Sequence, residues 1–414
     1  MNDTARRARV DGARLWRRLQ ELGAAGQIAG TERGVCRLAL TDADRAGRDL
    51  VVGWMRELGL EVTIDAFGNG IGLRRGREDG PPVMMGSHID TVATGGRYDG
   101  NLGVLGGLEI VAALNDAGAV TRRPVAVAFF TNEEGARFQP DMMGSLVWAG
   151  GLPLERALET VGIDGVRAGD ELRRIGYAGT AAVGRPSVHA YVELHVEQGP
   201  VLEAEGYGIG AVEGVQGIRW TELTLGGQSN HAGTTPMSHR HDAGLVAAQI
   251  AAEVRRVVRE LGGHQVGTVG ALTLTPNLVN VVARTAVLTV DLRNTDEVAL
   301  EEAERRVLAF AEQAAAAEGV TLSRRALARF APVAFDPGLV ARVEAIARGR
   351  GHRVRRLPSG AGHDAQIVAG VAPACMIFVP SVKGLSHNVE EYTAPEDVTA
   401  GAEVLLALVA ELAA

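Results

Sequence analysis

Cysteine is nearly missing from this chain: Cys36 and Cys375 are the only two in 414 residues. Thiols so few and so far apart argue against a disulfide framework and fit reduced, structural residues in the cytoplasm. No apolar run is long enough to span a membrane. The stretch from Met1 to Gln20 is charged and helical in character, with no apolar signal core. Basic charge is not in excess either: the formal net charge is -8, which excludes a nucleic-acid partner needing a cationic surface. Repeats and low-complexity linkers are absent. What remains is a cytosolic globular protein, 46% hydrophobic and 22% charged, too long for one ordinary core and therefore expected to form two domains.

Residues 12–24 and 43–58 read as amphipathic helices, the second with Leu50, Val51, Trp54 and Leu58 on one face. Glu61–Ile64 and Gly70–Leu73 form a short strand pair. Pro82–Met85 is an apolar strand ending at Gly86-Ser87-His88. Asn101–Ala117 follows as a helix, then Val125–Phe130 and Ala190–Leu194 as further apolar strands, the last carrying His195 at its end. This alternation is βαβ grammar. The 141–178 region is helical and polar. Near residue 213 the texture changes. Trp220–Leu225 and Ala286–Asp291 alternate as half-buried strands, Asp242–Leu261 and Val298–Glu318 are helices, and Thr321–Leu327 is a strand. From Phe335 the first pattern returns, with a helix over 336–350, a strand Ala374–Val379 and a closing helix Pro395–Leu412. The expected fold is α/β. A mixed-sheet catalytic domain (residues 1–212 and 330–414) receives an inserted α+β domain (213–329) of two helices on a four-stranded antiparallel sheet.

The chemistry-bearing residues fall where strands have just ended, which is where α/β sheets bind ligands. They are His88 and Asp90, Asp99 in a glycine-rich turn, Glu133 and Glu134, His195, and His387 in Ser386-His387-Asn388. Each histidine alone is more readily structural; the joint pattern points to a two-metal hydrolytic site. Imidazole and carboxylate without thiolate suit zinc, manganese, cobalt or nickel. Asp99 is the natural bridging carboxylate, since one carboxylate can hold two cations about 3.5–4 Å apart. Asp90 is expected to take the second N–H of His88 and so fix its tautomer. Of the adjacent Glu133 and Glu134, one should bind metal and leave its neighbour as general base.

Together with Glu193-Leu194-His195-Val196-Glu197-Gln198-Gly199, these motifs resemble the M20 metallopeptidase superfamily. They are closest to its amidase branch of N-carbamoyl-L-amino-acid hydrolases, β-ureidopropionases and allantoate amidohydrolases, over a match from about residue 10 to the C-terminus. The resemblance implies two divalent ions, one on His88, Asp99 and His195, the other on Asp99, Glu134 and His387, with Glu133 as the base. Where peptidases of the wider superfamily usually carry an acidic ligand this chain has His195, which favours the amidase branch. Gly227-Gln228-Ser229-Asn230-His231 looks like the family's lid motif, with His231 stabilising the oxyanion, reaching across a homodimer interface. Arg293, Asn277 and Asn280 resemble its carboxylate-recognition set, joined by Gln216 and by the loop Ser359-Gly360-Ala361-Gly362-His363, where Gly360, Gly362 and His363 would meet substrate. His239 and His241 depart from the family pattern and are read as surface residues. The implied reaction is cleavage of the carbamoyl C–N bond of an N-carbamoyl amino acid, with allantoate hydrolysis as the runner-up.

Overall fold

The computed structural model describes residues 7–184 and 186–414. The first six residues of the charged N-terminal stretch lie outside that range. Two compact units emerge, one running through Glu213 and resuming at Phe335–Ala414, the other Gly214–Ala334.

The first unit is built on a mixed sheet. Its strands are β1 (Glu61–Ile64), β2 (Gly70–Arg74), β3 (Val83–His88), β4 (Val125–Phe130), β5 (Ala190–Val196) and β6 (Ile209–Val215), to which later chain adds strands. The second unit contributes β7 (Gly217–Gly226), β8 (Val266–Thr275), β9 (Thr285–Asn294) and β10 (Thr321–Phe330). There follow β11 (Val333–Ala334), β12 (Val354–Ser359) and β13 (Ala374–Val379). The large sheet runs β1-β2-β4-β3-β5-β13-β6-β11, with β12 against β6. At its centre β4, β3, β5 and β13 are parallel neighbours, and the flanking pairs are antiparallel. Every residue of these four strands is buried, which explains the unbroken apolar runs of β4 and β13 and the largely apolar β3 and β5: a parallel strand is covered on both faces. Helices α1 (Gly12–Ala24), α2 (Asp42–Glu57) and α3 (Asn101–Asp116) precede or connect them. Asp11 and Thr41 cap the first two, each side chain accepting an N–H of the first turn.

α3 is buried from Asn101 to Leu114, so it carries apolar residues all round where α1 and α2 carry a stripe. It approaches the sheet closely. A Cβ at Gly103 would lie 2.7–2.8 Å from Ser87 and from the carbonyls of Gly86 and Leu194.

The second unit has a four-stranded antiparallel sheet in the order β10-β7-β9-β8. The helices Ala243–Leu261 and Glu297–Glu318 bring Val246, Ile250, Val254 and Val307 against Leu223, Leu225, Leu288 and Val290. The expected α/β architecture with an inserted two-helix, four-strand unit is therefore the observed one. Pattern alone sets no bounds for four strands: β6, β8, β11 and β12. β6 is interrupted by Gly210 and Gly214, and β12 carries Arg355, Arg356 and Pro358, a composition proper to an edge. The polar 141–178 stretch holds three short helices, Met143–Ala149, Leu154–Leu158 and Ala168–Ile175.

These approaches set a test of the scaffold. Gly103→Ala should cost about 1–3 kcal/mol through overpacking against backbone. Gly53→Ala, in the interior of α2 with nothing within 4 Å of the added carbon, should gain up to about 1 kcal/mol. Chemical denaturation of both variants measures the difference; equal midpoints would contradict the packing.

Candidate metal centre

The four central parallel strands end on the same rim of the sheet. His88 is the last residue of β3, Glu133 and Glu134 follow β4, His195 lies near the end of β5, and His387 follows β13. Asp99 stands just before α3. The fold thus gathers side chains spread over some three hundred residues.

Asp99 is only 4% exposed and divides its two oxygens. Oδ1 lies 3.7 Å from His88 Nε2 and 3.2 Å from His195 Nε2. Oδ2 lies 3.4 Å from His387 Nε2, which is itself 3.2 Å from Glu134 Oε2. Two groups of three ligand atoms result, His88–Asp99–His195 and Asp99–Glu134–His387, each compact enough to surround one ion. Glu133 Oε2 is 3.3 Å from His88 Nε2, beside the first group. Ligands about 2.0–2.2 Å from a tetrahedral zinc stand about 3.3–3.5 Å from one another. Charge-assisted hydrogen bonds close to about 2.7–2.9 Å. The observed separations, 3.2–3.7 Å, lie nearer the former, so this donor set fits divalent cations. Backbone shape enforces the arrangement at Gly100, whose φ is 66° and where a Cβ would fall 2.3 Å from the His88 ring.

Without cations the charges compensate one another. Burial works to raise the Asp99 carboxyl, but the facing imidazoles of His195, His387 and His88 hold it well below the usual range. His387 is pushed up to about 11 by the facing carboxylates of Asp99 and Glu134, and its side chain is half-exposed. Burial, with Asp364, Glu134 and Asp99 nearby, drives the Glu133 carboxyl well above its ordinary value, against the pull of His88. Cation binding must displace the imidazole protons.

Asp90 is arranged otherwise than expected. His88 Nδ1 meets the main-chain carbonyl of Asp90 at 3.0 Å, while the carboxylate stands 3.9 Å away. The carboxylate instead accepts the backbone N–H groups of Glu133 and Glu134, both at 3.3 Å. A main-chain carbonyl fixes the tautomer equally well. The carboxylate is left to hold the turn that presents both glutamates.

His363 is buried and keeps its Nε2 2.8 Å from Ser359 Oγ, with its ring edge-on to His195 at 4.5 Å. Burial first, then His195, holds it well below the ordinary histidine value. Glu193, His195 and His363 form a third, deeper grouping. Its atoms are already engaged, because Glu193 accepts from Ser87 Oγ and the Ala365 amide. Gly362 and Ala361 line a cleft of about 100 Å³ with Glu133, Glu134 and His387, while Gly360 is exposed.

Several residues here escaped the sequence reading. Gln198 Nε2 and Ser386 Oγ donate to Asp99 Oδ2 at 2.8 and 2.9 Å, and Asp141 lines the same cleft. Gln198 and Ser386 lie in motifs already singled out, three residues after His195 and one before His387. Arg37, fully buried, gives its Nε to the Ile89 carbonyl at 2.6 Å and NH2 to Asn101 Oδ1 at 2.8 Å, bracing the turns around His88 and Asp99. Nothing in its local sequence marks it.

The remaining predicted residues lie in the second unit, in two sets. His231 and Asn280 share one end: His231 bridges Val281, and Ala232 N–H donates to the Asn280 carbonyl at 2.9 Å. Exposed Asn277 belongs to the same loop, with φ of 55°. His231 Nδ1 accepts the amides of Gly233 and Thr234 at 3.0 and 3.2 Å, so its Nε2 carries the proton and is a donor. Gln216 and Arg293 lie at the opposite end. Arg293 pairs across the sheet with Ile218, whereas the His231 loop begins after Gly226. Eight residues at about 3.3 Å each put the two sets about 25 Å apart. Arg293 is engaged by Asp291 at 3.0 Å, and Gln216 Nε2 reaches the His264 carbonyl at 3.3 Å. His239 and His241 are exposed, as expected.

A parallel-cored sheet with paired imidazole–carboxylate nests on one rim, plus an antiparallel insertion, is the build of a metal-dependent hydrolase. The chain matches Peptidase family M20/M25/M40 over residues 84–411, and it belongs to that family. It is 45% identical over 406 residues to an N-carbamoyl-L-amino-acid amidohydrolase of Rhizobium meliloti, covering 98% of this chain and 97% of that one. Identity to the N-carbamoyl-L-amino acid amidohydrolase of Geobacillus stearothermophilus is 41%, over 98% and 99% of the two chains. The crystal structure of a hydantoinase/carbamoylase family amidase from Burkholderia multivorans superposes with a TM-score of 0.95 at 45% identity, over 98% of each chain.

Metal-free protein should therefore gain stability from zinc or manganese, by about 2.7 kcal/mol at a free concentration near 100 times Kd. The gain should be larger at pH 8 than at pH 6, because protons compete for the imidazoles. Thermal melts after chelation and re-addition measure it; an unmoved midpoint at both pH values would count against a metal centre.

Proposed function

We propose that this protein hydrolyses N-carbamoyl-L-amino acids to the amino acid, carbon dioxide and ammonia. The observation that carries the proposal is the two-sided engagement of Asp99, in a chain similar over its whole length to amidohydrolases of that activity. His88, Asp99 and His195 would hold one divalent ion and Asp99, Glu134 and His387 another, with zinc, manganese, cobalt and nickel all compatible with the donors. Bound there, such ions polarise a carbonyl and make a water acidic near neutral pH.

The chain's own residues supply the rest. Glu133 takes a proton from the attacking water and returns it to the leaving nitrogen, breaking the C–N bond. The carbamic acid released falls apart to carbon dioxide and ammonia. Asp90 keeps Glu133 and Glu134 facing their separate tasks by holding both amides. His231 donates from Nε2 to the carbonyl oxygen as negative charge develops, a contribution commonly worth a few kcal/mol, about 2.7–4 for one oxyanion donor. Arg293 receives the substrate carboxylate in place of Asp291, by two parallel hydrogen bonds, with Asn277, Asn280 and Gln216 as polar partners. Gly360, Gly362 and His363 line the substrate's path. The inserted domain (213–329) acts as lid and dimerisation domain on the catalytic domain (1–212 and 330–414). Free Cys36 and Cys375 fit a cytoplasmic setting, and no helix among the described residues could cross a membrane.

The same geometry supports a homodimer. No amino-acid-sized substrate can touch both Arg293 and His231 of one chain across about 25 Å of strand, so a second copy supplies one of them. β8 is the edge that suits such pairing. It carries no charged residue and exposes Val266 and Leu272, whereas the opposite edge, β10, is blunted by Arg324, Arg325 and Arg329.

Two experiments test these readings. Ammonia release should be fastest with N-carbamoyl-L-amino acids and slower with β-ureidopropionate, allantoate and N-acetyl amino acids. In the same assay Glu133→Gln should keep its metal and lose at least about 100-fold in turnover. Preference for allantoate would replace the substrate assignment. For the dimer, His231→Ala and Arg293→Ala should each be nearly inactive. Refolded as an equal mixture they should regain about a quarter of wild-type activity, since half the dimers are mixed and each holds one intact site. A mixture as inactive as its parts would rule out sharing.

A further inference from the structure

Glu391 has no part in the reaction described above, yet it ties together the two loops on which Asp99 and His387 depend. Its carboxylate is completely buried in the segment between His387 and the closing helix. Oε1 accepts the backbone N–H groups of Tyr98, at 2.9 Å, and of Asp99, at 3.2 Å. Oε2 lies 3.4 Å from Ser386 Oγ, the hydroxyl that donates to Asp99 Oδ2 at 2.9 Å. Its own N–H closes the loop on the Asn388 carbonyl at 3.0 Å. The chain makes room for this carboxylate: a Cβ at Gly96 would fall 2.5 Å from it. Tyr98, beside Asp99, and Tyr392, beside Glu391, pack edge to face at 6.1 Å, and both rings contact Trp16.

We propose that Glu391 is the positioning residue that lets Asp99 be shared: it fixes the Asp99 backbone with one oxygen and steers the His387 loop, through Ser386, with the other. This rests on the metal-centre reading above. The two ion positions depend on it unequally. His88 and His195 belong to strands that are buried throughout, so their spacing is set by the sheet. His387 sits in a loop at φ 53°, with its side chain 51% exposed. Loosening the clamp releases the His387 side first.

The position of the carboxylate, more than its charge, carries this role, and two conservative changes separate them. Glu391→Gln keeps the length and an amide oxygen that can accept both N–H groups. Glu391→Asp keeps the charge but, one methylene shorter, cannot span the amides and Ser386. Calorimetric titration of chelated protein with zinc should give two equivalents for the wild type, and Glu391→Gln should follow it within about threefold. In Glu391→Asp one equivalent should weaken about 10–100-fold, the usual effect of losing a partner behind a metal ligand. The other equivalent and the melting temperature of the metal-free protein should change little. Two equivalents of wild-type affinity in Glu391→Asp would overturn the proposal, as would an equal loss in Glu391→Gln. Should Glu391→Asp fail to fold, Ser386→Ala cuts the same link and should weaken the same equivalent alone. A wild type that binds no zinc would instead overturn the metal-centre reading beneath it.

Discussion

A single buried carboxylate holds the candidate site together. Asp99 lies where three imidazoles converge, and its two oxygens face different partners: His88 and His195 on one side, His387 on the other. Within the same small volume stand Glu133, Glu134 and Asp90, with Glu193, Asp364 and Glu391 close behind. So many acids out of water repel one another, and burial pushes the carboxyls of Asp364 and Glu391 up to about 8. The imidazoles offset part of that charge by taking up protons. Divalent cations would offset more of it and would free the same nitrogens to coordinate.

Precision at Asp99 comes from main-chain groups more than from paired charges. The Asp90 carbonyl orients His88, the Val196 carbonyl lies 2.8 Å from His195 Nδ1, and the Asp90 carboxylate holds the amides of the glutamate pair. Arg37 works the same way, donating to the carbonyls of Leu22, Ala25 and Ile89 from complete burial, which pulls its guanidinium down to about 10. Such contacts depend on the course of the backbone, so they tolerate little movement of α3 or of the turns beside it.

Much of this could be read from the chain alone, because the signals were local. The four central strands are largely apolar, His88, Glu133, Glu134 and His195 sit at or just past their ends, and His387 lies in the loop after the last of them. The long amphipathic helices of both units announced themselves by period, and Asp11, Thr41, Asp242, Asp296 and Asp336 cap helices with side-chain oxygens. Illegible features were those set by tertiary partners. β12 reads as a charged loop until β6 offers it an edge. Arg37 and Glu391 look like ordinary surface residues until the fold closes over them. Asp90 shows a subtler limit: its spacing from His88 was informative, but which of its oxygens does the orienting depends on how the turn is wound.

All the candidate ligands gather at one rim, where the parallel strands finish, and none of them lies at the opposite rim. The residues at which those strands begin, Val83, Val125, Ala190 and Ala374, are apolar and buried within the ladder. Drift in sequence or loop length on that side can alter how firmly the sheet is held while leaving the spacing of the nests intact. The two halves of the sheet can thus evolve at different paces, one under chemical constraint and the other under a mechanical one.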